Sequence, residues 1–136
     1  MGICGLMIYL GVDPFNMVKQ EIKGGIYTDN FQYAIKEVSQ IALDVADSHT
    51  YSKTYPKIYD CTDFSKELIK QLNKSGYQSK CLFGYYKGKG LHTWVLVNIN
   101  YDGLFIQLPI ESTSGELIGY DDYILNYRKI SEGRCV

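Results

Sequence analysis

The spacing of apolar residues changes once along this sequence, close to Gly76, and this change restricts the possible folds strongly. Before Gly76, apolar residues recur every three or four positions, as they do on the buried face of a helix. After it, short runs rich in β-branched and aromatic residues are separated by turn residues, which is typical of antiparallel strands. Helices followed by a meander of strands belong to the α+β class. We therefore expect an α+β fold in which N-terminal helices pack on an antiparallel β-sheet.

Three helices are predicted before Gly76. The first runs from Asp13-Pro14, a cap residue followed by proline, to Gly24-Gly25. The second opens at Thr28 or Asp29. Its apolar stripe consists of Phe31, Ile35, Val38, Ala42 and Val45.

The third helix starts after Asp60, and Asp63 completes a carboxylate variant of the capping box there. Its buried side is predicted from three residues spaced by four, Phe64, Leu68 and Leu72. Residues 47–59 show no regular period and are predicted to form a loop.

Three strands are predicted next, and Asp102-Gly103 marks the hairpin between the last two. The predicted strands are Tyr77–Tyr86, His92–Asn100 and Leu104–Ile110. Pro109 indicates a strand end or an edge, because proline has no N–H to donate. Beyond these strands we expect a short strand from Glu116 and a short helix or turn at Tyr120–Tyr127.

Charge and hydropathy exclude several classes of partner. The net charge of -1 provides no basic field for nucleic acid. The apolar N-terminal run MGICGLMIYLGV is shorter than the roughly 20 residues that span a bilayer, and it lacks the basic start of a secretory signal. We therefore expect a soluble, cytoplasmic protein that binds neither nucleic acid nor membrane. The oligomeric state is left open.

The four cysteines are Cys4, Cys61, Cys81 and Cys135. None belongs to a C-x-x-C pair, so the spacing disfavours both a zinc site and a redox motif. We expect no metal and no cofactor. A Cys4–Cys135 disulfide that ties the termini together is possible by spacing, and the sequence leaves it open.

Cys61 is the one cysteine whose local sequence favours reactivity, because it lies in the first turn of a predicted helix. Unpaired N–H groups and the helix dipole stabilise negative charge at that position, and the thiolate is the nucleophilic form of cysteine. The alternative is a small buried hydrophobic residue, which is what most free cysteines are. The carboxylates of Asp60 and Asp63 also oppose ionisation.

His92 is the candidate base, and Glu111 is the candidate residue that orients it. If Tyr101-Asp102 forms the turn, His92 faces Glu111 directly, and if Asp102-Gly103 does, Glu111 is a diagonal neighbour within reach. Gln107 lies too far along the strand to serve. The alternatives are a half-buried structural histidine at 92, an exposed charge at 111 and a solvated loop histidine at 49.

The chain resembles the transglutaminase-like superfamily of papain-fold cysteine enzymes through three motifs. C-T-D-F-S at 61–65 is similar to the family's nucleophile motif, H-T-W-V-L-V at 92–97 to its histidine motif, and I-E-S-T at 110–113 to its acidic motif. The acid is Glu where Asp is commoner, and it comes a few residues later than usual. The resemblance covers roughly residues 55–118.

The resemblance implies a papain-like fold and a thiol-dependent amide hydrolase, acting on a peptide or other amide substrate through an acyl-thioester. The catalytic residues it implies are Cys61 as nucleophile, His92 as acid and base, and Glu111 as orienting group. The Cys61 N–H would be one oxyanion donor, with Tyr55 or Tyr59 as candidates for the second. The alternatives are an acyl transferase of the transglutaminase type and a non-catalytic binding module of the same fold.

The length of 136 residues fits one domain. We expect residues 1–50 to form a helical N-terminal part, residues 51–118 the catalytic core and residues 119–136 a C-terminal tail.

Overall fold

The computed structural model describes residues 28–101 and 103–133. In chain order the elements are α1 (Thr28–Ser48), α2 (Cys61–Lys74), β1 (Ser79–Tyr86), β2 (Gly90–Tyr101), β3 (Leu104–Glu111), β4 (Glu116–Leu117), α3 (Tyr120–Asn126) and β5 (Tyr127–Gly133). The described part is α+β, as predicted. The helix predicted from Asp13 to Gly25 lies outside the described residues.

The five strands form one antiparallel sheet in the order β4-β3-β2-β1-β5. The last strand, Tyr127–Gly133, was not predicted from the sequence, which gave residues 119–136 only as a C-terminal tail. β5 instead extends the sheet beside β1, with Tyr127 opposite Tyr86. The sheet therefore continues well beyond the predicted meander, and its last strand brings residues from the end of the described chain next to β1.

The main core lies between the two long helices and one face of the sheet. All five residues of the predicted α1 stripe are buried, as are the three predicted for α2. They pack against the side chains of Val95, Val97 and Ile99 from β2 and of neighbouring β3 residues. The helical period in the sequence thus predicted the buried faces correctly, because those faces meet the sheet.

The other face of the sheet carries a smaller cluster of Leu82, Trp94 and Leu96. Tyr123 of α3 and Tyr127 of β5 pack against it. Trp94 is fully buried, and its indole Nε1–H donates to the Tyr123 hydroxyl at 3.2 Å. The C-terminal elements therefore cover the strand face that carries Trp94.

Pro109 lies inside β3, opposite Leu96, and the ladder continues on both sides of it. Its carbonyl accepts a hydrogen bond from the N–H of Ile118, so the backbone polar groups of Pro109 point away from β2. The missing N–H consequently breaks no bond of the β2–β3 ladder. Among the described residues, none of the helices is long and apolar enough to span a bilayer.

Close approach between strands explains a glycine in β1. A Cβ on Gly84 would collide with the carbonyl oxygen of Arg128 in β5 and would lie 2.9 Å from Cη2 of Trp94. The β1–β5 register also shifts between Phe83 and Gly84. Glycine therefore lets β5 dock tightly against β1 and over the indole of Trp94.

Candidate active site

Cys61 is the first residue of α2, and the residues around it form the predicted capping box. Asp60 is the N-cap, and its side chain accepts hydrogen bonds from the backbone N–H groups of Thr62 and Asp63. The Asp63 carboxylate accepts in turn from the Asp60 N–H at 3.0 Å. The helix start is therefore fixed by reciprocal bonds on either side of the cysteine.

This capping pattern leaves the amide of Cys61 available. The amides of Thr62 and Asp63 are bonded to the Asp60 side chain, and that of Phe64 bonds to the Asp60 carbonyl. Within the part of the chain that the structure describes, no partner is found for the Cys61 N–H. The first turn of α2 thus offers one unpaired donor beside the sulfur, as helix starts commonly do.

His92, near the start of β2, is bonded to Glu111 at the end of β3. Its ring Nε2 lies 2.7 Å from Oε1 and 2.8 Å from Oε2 of the carboxylate. The β2–β3 register pairs Tyr101 with Leu104, which is the second of the two predicted registers, with Glu111 as a diagonal neighbour. Gln107 pairs with Asn98, well away from His92, as expected. The strand pairing predicted from the turn position therefore placed the Glu111 carboxylate near His92 correctly.

Two further side chains hold the Glu111 carboxylate. The Thr113 hydroxyl donates to Oε1 at 3.0 Å, and the Tyr127 hydroxyl donates to Oε2 at 2.8 Å. Burial opposes ionisation of Glu111, but the hydrogen bonds from His92, Tyr127 and Thr113 outweigh it and hold its pKa below the ordinary value. The carboxylate is therefore ionised and fixed in orientation.

Cys61 and His92 line the same cleft, and each shifts the pKa of the other through hydrogen bonding and charge. Because Nε2 is engaged with Glu111, the ring nitrogen that faces the sulfur is Nδ1. Burial opposes charge on the imidazole, yet the bonds to Cys61 and Glu111 raise the pKa of His92 to about 9. At neutral pH the imidazole is consequently an imidazolium held between a sulfur and a carboxylate.

The thiol is affected in the complementary direction. Burial raises the pKa of Cys61. Hydrogen bonds from His92 and from the backbone and side chain of Thr93 lower it by more than burial raises it, so the net result is a lowered pKa. The Thr93 hydroxyl also lies 3.3 Å from that of Thr62 in the first turn of α2. A thiolate–imidazolium pair is the arrangement that these contacts favour.

Thr93 was not predicted as a site residue. It follows the histidine on β2 and is buried, with its N–H and hydroxyl directed at the Cys61 sulfur. Because residues alternate between the two faces of a strand, Thr93 points toward α2 while Trp94 points away from it. The sequence signal that could have revealed it is its place next to a candidate histidine on a strand that packs against the cysteine's helix.

Aromatic rings enclose the His92–Glu111 pair. The Tyr86 ring lies 5.9 Å from the imidazole and the Trp94 ring 6.3 Å from it, centroid to centroid. Tyr127 packs edge-on against both, at 4.7 Å from Tyr86 and 5.1 Å from Trp94. These rings limit the access of water to the ion pair, which strengthens its electrostatic interactions.

A buried hydrogen bond connects the helix of the cysteine to the strand of the carboxylate. The hydroxyls of Ser65 and Ser112 lie 2.6 Å apart, and both side chains are fully buried. Ser65 is one turn into α2 after Cys61, and Ser112 directly follows Glu111. The bond therefore fixes the nucleophile's helix relative to the end of β3.

A cleft of about 520 Å³ opens beside Cys61 and His92. Its other lining residues are Tyr51, Lys53, Lys89, Leu91 and Thr113. A second hollow of about 420 Å³ lies on the far side of His92 and includes Glu111, Glu116 and Asp122. The sulfur therefore faces a space of the size typical for small-ligand sites, in which ligands are enclosed on several sides.

The remaining candidates do not join this site. His49 stacks on Tyr59, with ring centroids 4.1 Å apart, and its Nδ1 lies 2.8 Å from the Ser48 hydroxyl. Cys81 is buried in β1 and disulfide-bonded, so Cys61 is the free cysteine among the described residues. The Cys4–Cys135 bridge, which the sequence left open, concerns residues outside the described part of the chain. The structure thus brings together Cys61, His92 and Glu111.

No protein-family model matches the sequence, and comparison with curated proteins gives no match either.

Proposed function

We propose that this protein is a thiol-dependent amide hydrolase, related in fold to papain-like and transglutaminase-like enzymes, that cleaves a peptide or another amide. The observation that carries the proposal is that Cys61 and His92 line one open cleft while His92 is bonded to Glu111. Nucleophile, base and orienting group in this order are the general requirement for an activated nucleophile.

In the proposed reaction the Cys61 thiolate attacks the substrate carbonyl carbon, and a C–S bond forms. The unpaired N–H of Cys61 lies where it can donate to the oxyanion that develops on the carbonyl oxygen. The His92 imidazolium then gives its proton to the leaving amine as the C–N bond breaks. Water, deprotonated by the neutral imidazole, hydrolyses the acyl-thioester and restores the thiolate.

Glu111 orients the imidazole without touching the substrate. Its bonds from Thr113 and Tyr127 hold the carboxylate so that Nδ1 of His92 faces the sulfur. The same contacts favour the imidazolium, since a neighbouring negative charge raises the pKa of a histidine. Glu111 is therefore a positioning residue in this mechanism, and Cys61 and His92 are the catalytic ones.

An open cleft next to the sulfur supports an enzyme over a binding module of the same fold, because a module that has lost catalysis has no need to keep the sulfur accessible. Hydrolysis and acyl transfer share the first half of the reaction. They differ only in whether water or an amine accepts the acyl group, so acyl transfer is retained as an outcome of the test.

The test is the alkylation rate of Cys61 by iodoacetamide at pH 6, followed by mass spectrometry of the modified peptide. We expect alkylation at least about tenfold faster than that of glutathione, because an ordinary thiol is almost entirely protonated at this pH. His92→Gln should abolish the excess rate, and His49→Gln, the matched control, should leave it unchanged. Equal rates for Cys61 and glutathione would contradict the proposal.

Turnover is tested with a mixture of internally quenched peptides and a dansyl-labelled alkylamine. Cleavage that disappears in Cys61→Ala supports hydrolysis, and dansyl incorporation into the peptides identifies acyl transfer. Cleavage that persists unchanged in Cys61→Ala would rule out the proposed nucleophile.

A further inference from the structure

The cleft beside Cys61 is lined by two lysines from different parts of the chain. Lys53 comes from the loop between α1 and α2, and Lys89 from the turn between β1 and β2. Both side chains are exposed. The tertiary fold therefore brings two lysines that are distant in sequence to the same cleft as Cys61.

No carboxylate among the described residues lines this cleft, although Lys89 also borders the second hollow, whose lining includes Glu111, Glu116 and Asp122. The ionised Glu111 faces the second hollow and is already bonded to His92. Within residues 28–101 and 103–133, neither Lys53 nor Lys89 forms an ion pair. The thiolate, the imidazolium and Glu111 together carry a charge of about -1, so the two lysines leave the cleft and its His92–Glu111 wall with a net charge of about +1 at neutral pH.

The remaining walls of the cleft are apolar and aromatic. Tyr51 and Leu91 are both substantially exposed there, at 46% and 55% of their full accessible surface. Lys89 also lies over the Tyr86 ring, with its Nζ 5.5 Å from the centroid, and it borders both this cleft and the second hollow. An occupant of this space meets apolar contacts near the sulfur and cations at the rim.

From this arrangement we infer that the substrate is an acidic peptide or amide, with a carboxylate within one or two residues of the scissile bond. This inference rests on the proposed function, because it concerns the substrate of the same cysteine. A carboxylate in that position would pair with Lys53 and Lys89 while the neighbouring apolar group contacts Leu91 or Tyr51. The lysines would determine specificity and would take no part in bond breaking.

The inference is tested by comparing two reagents of similar size and different charge, iodoacetate and iodoacetamide. Both alkylate the Cys61 sulfur with loss of iodide, so the ratio of their rates measures how strongly the cleft attracts an anion. We expect Lys53→Gln/Lys89→Gln to lower the iodoacetate-to-iodoacetamide ratio about fivefold, since exposed ion pairs are individually weak. The difference should shrink as salt is added, because salt screens exposed charges.

The matched control is Lys57→Gln/Lys87→Gln, which removes one exposed lysine from the same loop and one from the same turn outside the cleft. It should leave the ratio unchanged. An unchanged ratio in the Lys53/Lys89 variant, with fast iodoacetamide alkylation of Cys61, would overturn the acidic-substrate inference and leave the proposed function standing. Slow iodoacetamide alkylation in the unaltered protein would instead contradict the proposed function itself.

A second measurement uses internally quenched peptide libraries that carry Glu, Gln or Lys at one fixed position and mixtures elsewhere. We expect kcat/KM to be about five- to tenfold higher for the Glu library than for the Gln library, and lowest for the Lys library. In Lys53→Gln/Lys89→Gln the Glu and Gln libraries should be cleaved at similar rates. Equal cleavage of all three libraries by the unaltered protein would overturn the inference.

Discussion

Each oxygen of the Glu111 carboxylate accepts a hydrogen bond from a residue other than His92. Thr113 supplies one of these bonds from the segment after β3, and Tyr127 supplies the other from β5. A carboxylate bound in this way keeps its charge although it is largely buried. The electrostatic environment of the imidazole is therefore set by residues from three separate parts of the chain.

Replacement of Glu111 by Gln should lower the pKa of His92. The pKa of about 9 depends on the negative charge beside the ring, and the amide keeps the shape of the carboxylate without that charge. We expect a fall of about 1–2 pH units, so that the imidazolium loses its proton nearer to neutral pH. An NMR titration of the His92 ring in the two proteins measures this directly.

Glu116→Gln is the matched control for this titration, because Glu116 lies on the neighbouring strand and has no bond to His92. It should leave the titration of His92 unaltered. The same two variants should differ in the alkylation of Cys61, since loss of the imidazolium removes a bond that favours the thiolate. An unchanged His92 titration in Glu111→Gln would show that the carboxylate does not control the ring.

At the scale of elements, the site depends on how α2 is seated against the sheet. The capping box fixes the first turn of α2, and the Ser65–Ser112 bond fixes the helix to the end of β3. Both hydroxyls are fully buried, so each relies on the other for a hydrogen bond within the described part of the chain. The geometry between sulfur and imidazole is thus determined by helix placement as well as by the two side chains.

Substitution of either serine by Ala should destabilise the protein by about 1–3 kcal/mol, because a buried hydroxyl loses its partner. The double variant Ser65→Ala/Ser112→Ala should cost less than the sum of the single changes, since it leaves no unpaired hydroxyl. Urea unfolding of the four proteins gives the coupling energy. Strictly additive free energies of unfolding would contradict a direct bond between the two hydroxyls.

The sequence predicted the long elements that bury an apolar face and missed β5, which has no buried residue. The stripes of α1 and α2 follow the helical period, and β2 is rich in β-branched residues. β5, by contrast, has the sequence YRKISEG and exposes almost every residue, so it has no alternating pattern. Backbone pairing with β1 holds β5 in place, and the hydropathy of the sequence does not predict such pairing.

The same distinction applies to the site. His92 and Glu111 lie on consecutive strands, so turn length alone was enough to bring them together. Tyr127 reaches Glu111 only because β5 returns to the far side of β1, and Lys53 reaches the cleft only through the path of an irregular loop. Such contacts depend on the tertiary fold and could not be predicted from local spacing.

At the scale of the whole molecule, the sheet brings residues from three of its strands together at the candidate site. β2 in the centre carries the histidine, β3 carries the carboxylate, and β5 at the edge carries the tyrosine that bonds to it. Docking of β5 depends on the close approach at Gly84. A change at this glycine should therefore affect a site to which its own backbone contributes nothing.

Gly84→Ala should destabilise the protein by about 2–3 kcal/mol, because the added methyl overlaps the Arg128 carbonyl and presses on Trp94. It should also slow the alkylation of Cys61 as Tyr127 moves away from Glu111. The control is Gly103→Ala, in the β2–β3 turn, where an added Cβ meets nothing within 4 Å and only the positive φ of 81° is unfavourable. We expect the control to cost about 1 kcal/mol and to leave alkylation unchanged.

Urea unfolding and iodoacetamide kinetics on both glycine variants check this prediction. Identical behaviour of the two variants would mean that the contact between β1 and β5 has no influence on the cysteine.

The position of Tyr127 also has a consequence for biosynthesis. A ribosome makes Cys61, His92 and Glu111 well before it makes β5, so the nascent polypeptide already contains all three residues while one donor to the carboxylate is still missing. The complete set of bonds around that carboxylate forms only once the late strand has emerged and annealed to the sheet edge.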